Sequence, residues 1–426
     1  MNTPYKTTQT QYYLDYLIEH CILAVTFFLP LSLTVSSGFL GCGAVLWLGK
    51  MIARGRLNFK STPFDVGIGL LVLLSAISIW NSPDRGFSFY NFYNLMGRYV
   101  LIYYLVVNNI NSATQMKKII WVMLTSATIV TLYGFYQYLF GVNISANEWV
   151  DGQHFPDLKL RVFSTLQNPN LLAGFLVTMM AIGASMGYKA VTIKGRAILF
   201  GLVAMFGVCL ILTYSRGAWL SLLAVIGVYG MLCNRKIFWL LLLLPVAMFC
   251  GHDAILERIM SIINPTDTSS TLRIALWEST IAMIMDKPLL GIGWGSYWLV
   301  YPEYDFFLNN ANVKIFHAHN MYLNIAAEIG IPGLIAFLSI MYGHVRLALS
   351  VLSGEVESWS SGLMLGIIAA IGGIIINGLT DYVMFNIQLS MLYWLLNGLI
   401  VIVWQQSHQR QSHQRQNQSR FLKKVM

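Results

Sequence analysis

Apolar runs of membrane-spanning length alternate with polar connections along almost the whole chain. A helix needs about 20 apolar residues to cross a bilayer, and about twelve runs approach that length. They lie near residues 14–33, 35–53, 64–80, 94–110, 118–140, 170–188, 197–214, 217–233, 237–251, 331–350, 361–379 and 385–404. The pattern predicts an all-α integral membrane protein with about 12 transmembrane helices.

The composition supports this interpretation. Of the 426 residues, 56% are hydrophobic and 11% are charged, whereas soluble domains carry about 25% charged residues. The net charge of +9 does not indicate nucleic-acid binding, because the Lys and Arg residues of membrane proteins collect on the cytoplasmic side. The five cysteines all lie in or beside apolar runs, so neither disulfides nor a zinc site is expected.

Most basic residues fall in alternate connections, as expected if both termini are cytoplasmic. The basic residues assigned to the cytoplasmic side are Lys6, Lys50, Arg54, Arg56, Lys60, Lys117, Lys118, Lys189, Lys194, Arg196, Arg235, Lys236, Arg346, Arg410, Arg415, Arg420, Lys423 and Lys424. Two longer polar connections then face outward. Loops longer than about 12–15 residues are usually functional or disordered, so these two are the first candidates for a functional site.

The chain therefore divides into four predicted segments. Residues 1–251 hold transmembrane helices 1–9 and an outer loop at about 141–169, and residues 252–330 form a large extracytoplasmic loop with short helices. Residues 331–404 hold transmembrane helices 10–12, and the Gln/Ser/Arg-rich residues 405–426 form a disordered basic cytoplasmic tail near membrane lipid.

Within the large loop, the pattern predicts one helix at the membrane interface from about Leu272 to Asp286. Thr268-Ser269-Ser270 can cap its start, and Pro288 ends it. The segment Gly291-Ile292-Gly293-Trp294-Gly295 follows. A nucleotide-binding loop is rejected for it, because no parallel-sheet context surrounds these glycines.

The stretch 316–333, FHAHNMYLNIAAEIGIPG, brings two histidines, two asparagines and a glutamate close together beside an apolar span. Its candidate site residues are His317, His319, Asn320, Glu328, Gly330 and Gly333. At helical period, Asn320, Asn324 and Glu328 share one face and form a polar ridge beside the histidine. Pro332 and its flanking glycines are expected to end this turn. The alternative is an ordinary helix end with interfacial polar residues.

Three arginines are expected on the outer face, against the general charge trend: Arg161, Arg216 and Arg273. Placing an arginine deep in a bilayer costs roughly 3 kcal/mol. One alternative for Arg216 is that it snorkels to lipid phosphates. The other is an anionic substrate, because the planar guanidinium fork suits a phosphate or diphosphate and several forks would hold one without a metal.

Metal and hydrolase sites are disfavoured. His317-Ala318-His319 lacks a nearby carboxylate or cysteine at ligand spacing, so no metal is expected. No serine sits in a nucleophile elbow. A neutral His319 could instead take the proton of an attacking hydroxyl while arginines stabilise a diphosphate leaving group. This combination favours glycosyl transfer from a lipid diphosphate donor.

Three passages resemble the O-antigen ligase and O-antigen polymerase superfamily of bacterial envelope proteins. His319-Asn320, nine residues, then Gly330-Ile331-Pro332-Gly333 is similar to the ligase pattern of His-Asn/Ser/Gln, nine residues, Gly-x-x-Gly. Ser215-Arg216-Gly217 resembles a Ser-Arg-Gly segment of the superfamily. Arg273 through Gly291-Ile292-Gly293 is similar to its large-loop signature.

The resemblance implies a GT-C-like helical glycosyltransferase in the bacterial cytoplasmic (inner) membrane, with its active site facing the periplasm. The implied donor is an undecaprenyl-diphosphate-linked glycan, and no metal or other cofactor is implied. Arg161, Arg216 and Arg273 would contact the diphosphate, and His319 would be the base, with His317 lining the site. The loop that carries Arg161, RVFSTLQNPN, matches a looser pattern.

The resemblance leaves the acceptor open. Ligases use lipid A–core, polymerases use another lipid-linked glycan, and a third branch glycosylates proteins. The Gly-x-x-Gly ending and the single large outer loop favour a ligase. An inorganic-carbon transporter is the alternative of another class, although the helices show no evident inverted repeat and the spans contain few ionisable residues.

Overall fold

The structure, a computed structural model, describes residues 9–55, 59–141, 160–242, 260, 268–305, 315–354 and 357–425, without the side chains of 268–269 and 411–425. All regular structure in these ranges is helical. The α-helices are α1 (Gln9–Phe28), α2 (Leu33–Ala53), α3 (Asp65–Ser78), α4 (Arg85–Asn91), α5 (Gly97–Asn109), α6 (Ala113–Phe140), α7 (Pro169–Tyr188), α8 (Ile193–Leu212), α9 (Arg216–Leu232), α10 (Thr268–Asp286), α11 (Tyr297–Val300), α12 (Met321–Leu352), α13 (Ser358–Asn377) and α14 (Ile387–Val425).

Seven of these helices are long and apolar enough to cross a membrane: α2, α6, α7, α8, α12, α13 and the part of α14 from Ile387 to Arg410. Shorter apolar helices lie at Asp65–Asn81 and Arg216–Leu232. The chain is therefore an all-α, multi-pass membrane protein, as the hydropathy pattern predicts. The ninth predicted span, 237–251, lies largely outside the described residues, and its start is the 3-10 helix Arg235–Leu242.

Local sequence explains where several helices begin and end. Ser112 and Gln115 form a reciprocal capping box at the start of α6, and Gly141 ends that helix in the left-handed conformation. Asn168 caps α7 and Pro169 occupies its first turn. The predicted helix of the large loop is confirmed by α10, which ends at Asp286, two residues before Pro288.

Helix packing brings distant parts of the chain together. The helix α7 packs against α8 and α13, α13 also packs against α9, α5 packs against α14, and α3 packs against α12. A smaller apolar cluster, which includes Leu276, Met283, Ile292 and Tyr297, joins α10 and α11 to the start of α12. The ends of α7, α12 and α13 consequently meet, and the candidate site lies where they meet.

One expectation about helix ends agrees with the structure and one is corrected. The first part of α12 ends at Gly330, whose φ of 75° and ψ of 171° are non-helical, so the turn is interrupted at the Gly-Ile-Pro-Gly segment as expected. A second helical part continues α12 beyond this kink to Leu352. The segment 405–425, predicted to be disordered, continues α14 as helix to Val425. Neither proline nor glycine interrupts that segment, so its sequence contains no strong helix breaker.

Candidate functional site

A histidine and an aspartate meet where the loop before α12 contacts the loop after α13. His319 Nδ1 lies 3.0 Å from Asp381 Oδ1. The backbone N–H of Tyr382 donates to the same oxygen at 2.8 Å, and Asn170 Nδ2 donates to Asp381 Oδ2 at 2.7 Å. Both carboxylate oxygens are therefore held in place by hydrogen bonds.

This arrangement determines which nitrogen of His319 is available. An ionised carboxylate only accepts hydrogen bonds, so Nδ1 carries a proton, and in the neutral form of the ring the lone pair is on Nε2. Within the described residues, Nε2 has no hydrogen-bond partner, and the His319 side chain is 32% exposed. The residue also has a φ of 48°. A strained conformation of a non-glycine residue, held by its surroundings, is typical of functional positions.

The backbone around His319 is tied to the loop that carries Asp381. Asn320 caps α12, its side chain accepting from the N–H groups of Tyr322 and Leu323 at 3.0 Å each. Its amide nitrogen donates to Leu379 O at 3.1 Å, and Met321 N donates to Gly378 O at 2.8 Å. These bonds fix the position of the histidine relative to the carboxylate.

Arg161 reaches the same carboxylate through Asn170. Its Nε donates to Thr213 O at 2.8 Å, and a terminal nitrogen donates to Asn170 Oδ1 at 2.8 Å. Asn170 in turn donates to Asp381. The predicted arginine therefore belongs to a connected polar network, and part of its fork is engaged by the protein itself.

Arg273 and Arg216 approach from two other elements. Arg273, on α10, acts electrostatically on both Asp381 and His317. Arg216 is the first residue of α9, and a Cβ at its neighbour Gly217 would lie 2.7 Å from Thr380 Oγ1. The turn that carries Arg216 thus packs against the loop of Asp381. All three predicted arginines come from elements that converge on this loop.

The charges of the site keep the aspartate ionised. Burial, the largest single influence, raises the pKa of the Asp381 carboxyl, whereas the hydrogen bond and the charge of His319 lower it. Arg273 and His317 lower it further. The net effect holds the pKa of Asp381 well below its usual range, so the carboxylate stays charged at physiological pH.

His317 has a different environment from His319. Its Nδ1 accepts the backbone N–H of His319 at 3.2 Å, and the two rings lie 4.2 Å apart. Burial first, and then repulsion from His319 and Arg273, lower the pKa of His317 to about 3, although Asp381 acts in the opposite direction. His317 is therefore neutral at physiological pH and supports the neighbouring backbone.

The expectation that no carboxylate lies near the two histidines is wrong. Ligand atoms of His317, His319 and Asp381 lie within 4.8 Å of one another and could together hold a metal ion. Sequence spacing missed this because Asp381 follows His319 by 62 positions. Oδ1 of Asp381 already accepts two hydrogen bonds and Oδ2 accepts one, which leaves a lone pair on Oδ2.

A cavity of about 760 Å³ opens beside the His319–Asp381 pair. Its size lies within the roughly 300–1,000 Å³ typical of ligand sites. Apolar, aromatic and amide side chains make up most of its wall: Leu33, Phe87, Asn91, Asn94, Leu95, Asn168, Asn170, Leu171, Trp298, Ile315, Phe316, Phe385, Asn386 and Ile387. Gly295, His317, His319, Asp381 and Tyr382 complete it. The cavity can therefore receive a ligand next to Nε2.

The predicted polar ridge lies inside the protein. His319 and Asn320 precede α12, so they are not on its helical faces. Asn324 is fully buried and accepts the N–H of Ala318 at 2.9 Å, and Glu328 is 5% exposed. Asn324 and Glu328 therefore pack inside the protein, where Asn324 supports the loop of His319, and they do not line the large cavity.

The two glycines of the Gly-x-x-Gly ending have steric roles. A Cβ at Gly330 would lie 2.3 Å from Leu289 O, and Ile331 N donates to Pro288 O at 2.8 Å. A Cβ at Gly333 would meet the side chain of Ile329 at 2.4 Å. Gly330 thus permits the segment after α10 to dock on the kink of α12, and Gly333 permits the close approach of the Ile329 side chain within α12.

Sequence reasoning missed two residues of this network, Asp381 and Asn170, as site residues. Asp381 follows the predicted span 361–379, and Asn170 follows the capping residues of α7. The available signal was a single carboxylate at the expected outer end of a span, where ionisable residues are functional candidates.

Residues 200–338 match the family described as O-Antigen ligase. The matched range contains Arg216, Arg273, His319 and the Gly330–Gly333 segment. Arg161 and Asp381, which complete the polar network, lie outside it. Among curated proteins, nothing matches the chain at a significant level.

Proposed function

The chain belongs to the O-antigen ligase and O-antigen polymerase superfamily, and from this premise we propose that it transfers a glycan from undecaprenyl diphosphate to an acceptor. Members of this family are glycosyltransferase-like ligases and polymerases. The observation that carries the proposal is the His319–Asp381 pair, 3.0 Å apart, which faces the cavity with Nε2 unengaged within the described residues.

In the proposed reaction, an acceptor hydroxyl attacks the anomeric carbon of the donor sugar. The bond from that carbon to the diphosphate oxygen breaks, and its electron pair leaves with the diphosphate. The hydroxyl proton moves to Nε2 of His319, and Asp381 stabilises the imidazolium that results. Arg216 and Arg273, with Arg161 behind them, would stabilise the charge that develops on the leaving diphosphate.

Helix ends support an extracytoplasmic site. The starts of α7, α9 and α12 and the end of α13 lie at the site. At the other ends of helices lie basic residues that the topology assigns to the cytoplasm: Lys50, Arg54, Lys189, Arg235 and Arg410. By the positive-inside rule, we place the cavity on the outer face of the cytoplasmic membrane.

The acceptor we propose is lipid A–core, which makes the protein a ligase. The matched family is described by ligase activity, and the Gly330-Ile331-Pro332-Gly333 ending follows the ligase form of the motif. Polymerisation onto a lipid-linked glycan and transfer to protein are the alternatives within the superfamily.

Deletion of the gene, followed by analysis of surface and lipid-linked glycans, tests the proposal. We expect long glycans stranded on the polyprenyl carrier and a lipid A–core without them. Single repeats on the core would indicate a polymerase instead. Unchanged glycans together with altered bicarbonate uptake would contradict a transferase and indicate a carrier.

Complementation of the deletion strain with variants then tests whether His319 is the base. We expect that His319→Ala fails to restore glycan transfer, because a positioned base contributes about 10²–10⁴-fold to the rate. A matched control is His408→Ala, which changes an exposed histidine near the middle of α14. Both variants should be present in the membrane at wild-type amounts. Full transfer by His319→Ala would remove the assignment of the base.

A further inference from the structure

One wall of the cavity is a helical turn of unusual geometry. Between α4 and α5, residues Phe92–Met96 form a π-helical segment. Such segments are rare and occur frequently at functional sites. Phe87, Asn91, Asn94 and Leu95 line the cavity from this wall. Between them in sequence, Phe89, Tyr90 and Tyr93 are 51–58% exposed and point the other way.

The two asparagines of this wall differ from the other three in the cavity. Asn168 accepts the N–H of Asn170, Asn170 bridges Arg161 and Asp381, and Asn386 accepts the N–H of Leu389. Within the described residues, the side chains of Asn91 and Asn94 have no hydrogen-bond partner. Each offers one carbonyl acceptor and two N–H donors to a ligand.

The glycine-rich segment after α10 holds this wall in place. A Cβ at Gly295, whose φ is 68°, would lie 2.9 Å from Asn91 Nδ2, and one at Gly293 would lie 2.7 Å from Ser82 Cβ. A Cβ at Gly291 would lie 2.4 Å from the carbonyl carbon of Glu328 on α12. The three glycines therefore allow one segment to contact both the asparagine wall and the helix that follows His319.

Further bonds reinforce this contact. Ser88 Oγ donates to Trp294 O at 2.5 Å, and the hydroxyls of Ser82 and Ser296 lie 2.8 Å apart. Ile292 N donates to Ala327 O at 2.8 Å. The segment Gly291–Gly295, which resembles a nucleotide-binding loop in sequence, thus fixes the distance between Asn91 and the start of α12, next to His319.

The chemistry of the wall suits a neutral, hydroxyl-rich ligand. Trp298 lies between Phe87 and Phe316, with ring centroids 5.6 Å and 6.3 Å away. Aromatic faces pack against the C–H face of a sugar ring, and amides pair with the hydroxyls at its edge. In the described part of the chain, no lysine or arginine lines this cavity. The diphosphate is therefore expected at the arginine side of Asp381.

We propose that Asn91 and Asn94 bind the hydroxyl groups of a saccharide acceptor and position its attacking hydroxyl at His319. The inference rests on the proposed function, because the base removes the proton of the acceptor. The ligand that shares the cavity with Nε2 must carry that proton. A saccharide acceptor fits the amide wall, whereas a protein acceptor would not require it.

Initial-rate kinetics of the purified full-length protein in lipid nanodiscs test the assignment. The substrates are rough lipopolysaccharide from a strain without long glycans and polyprenyl-diphosphate-linked glycan. We expect that Asn91→Ala and Asn94→Ala each raise the acceptor KM about 3- to 10-fold, the effect of losing one neutral hydrogen bond. The donor KM should stay unchanged. Tyr93→Ala, on the exposed side of the same turn, is the matched control and should change neither value.

A binding measurement separates this inference from the proposed function. Fluorescently labelled core oligosaccharide is titrated into His319→Ala protein, which cannot turn over, with and without each asparagine substitution. We expect its Kd to rise by the same factor as the acceptor KM. If wild-type protein shows no transfer but the oligosaccharide binds in an asparagine-dependent way, the proposed function fails and the saccharide site stands.

Three results would overturn the inference. The donor KM could rise in place of the acceptor KM, which would assign the wall to the donor glycan. Transfer could proceed with both KM values and the Kd unchanged in the asparagine variants. A serine-containing peptide could bind while the oligosaccharide does not, which would indicate a protein acceptor.

Discussion

Two polar networks lie at opposite ends of α2. They contain similar chemical groups but have different roles. Near its start, Leu33 borders the cavity of the His319–Asp381 pair. Near its end, Lys50 pairs with Asp15 at 2.5 Å and donates to Asn109 Oδ1 at 2.8 Å. At 1.5 Å per residue, Leu33 and Lys50 are about 26 Å apart, so the networks lie near opposite faces of a bilayer.

The two networks differ in whether all of their polar groups already have a partner within the described residues. Lys50 is 5% exposed, and its ammonium already contacts a carboxylate and an amide. His319 is held on one ring nitrogen only, has a strained backbone conformation, and lines a cavity. A satisfied buried network supports packing, whereas a network with one oriented, unengaged group can act on a ligand.

The largest expected effect comes from Asp381→Asn. The amide cannot stabilise an imidazolium as a carboxylate does and can favour the wrong tautomer, so we expect kcat to fall about 10²–10⁴-fold. The acceptor KM should change little, because the asparagine wall stays intact. Steady-state transfer rates measure both values. Asp84→Asn is the control: it changes the capping residue of α4 to another good cap. A wild-type rate in Asp381→Asn would reduce the pair to a structural contact.

The next largest effect tests whether Arg216 binds the diphosphate of the donor. Arg216→Lys keeps the charge but loses the planar fork, and we expect transfer to fall about 10²-fold. Arg235→Lys, after the other end of α9, is the matched control and should retain activity. If Arg216→Lys behaves as wild type, lipid snorkelling becomes the better explanation of this arginine.

Hydropathy predicts most of the fold because membrane spans are long and apolar. The proline signal predicts the end of α10 at Asp286, whereas this helix begins at Thr268, earlier than the predicted start near Leu272. The motifs also predict His319 and the arginines that converge near it. For Asp381 the only local signal is a carboxylate at the outer end of a span. Its pairing with His319 depends on the contact between α12 and α13, which no local pattern encodes. The break at Gly330 falls where the glycines and Pro332 predict one. The contact that requires glycine there could not be predicted, because it involves Leu289 O of another segment.

A smaller effect separates the two histidines. The pKa of His317 is lowered to about 3, against an ordinary value of about 6.5. Between these two pH values, His317 binds more protons in the unfolded chain than in the folded protein. The free energy of unfolding therefore decreases as the pH falls below about 6.5. We expect His317→Gln to reduce the loss of thermal stability between pH 7 and pH 5. The acidic limb of the pH–rate profile of His317→Gln should match that of the wild type. A shift of this limb along the pH axis would mean that His317 is the group that titrates there.

The smallest effect on transfer is expected from Asp15→Asn at the other end of α2. The substitution removes one of the two partners of Lys50, but the side chain of Asp15 is 39% exposed, so solvent screening limits the loss of stability to about 1 kcal/mol. Thermal unfolding should begin at a lower temperature, while the transfer rate per folded molecule stays at the wild-type value. The comparison with Asp381→Asn is direct, because each variant neutralises one carboxylate of a buried network. A fall in rate similar to that of Asp381→Asn, in protein shown to be folded, would mean that the two networks are coupled across the membrane.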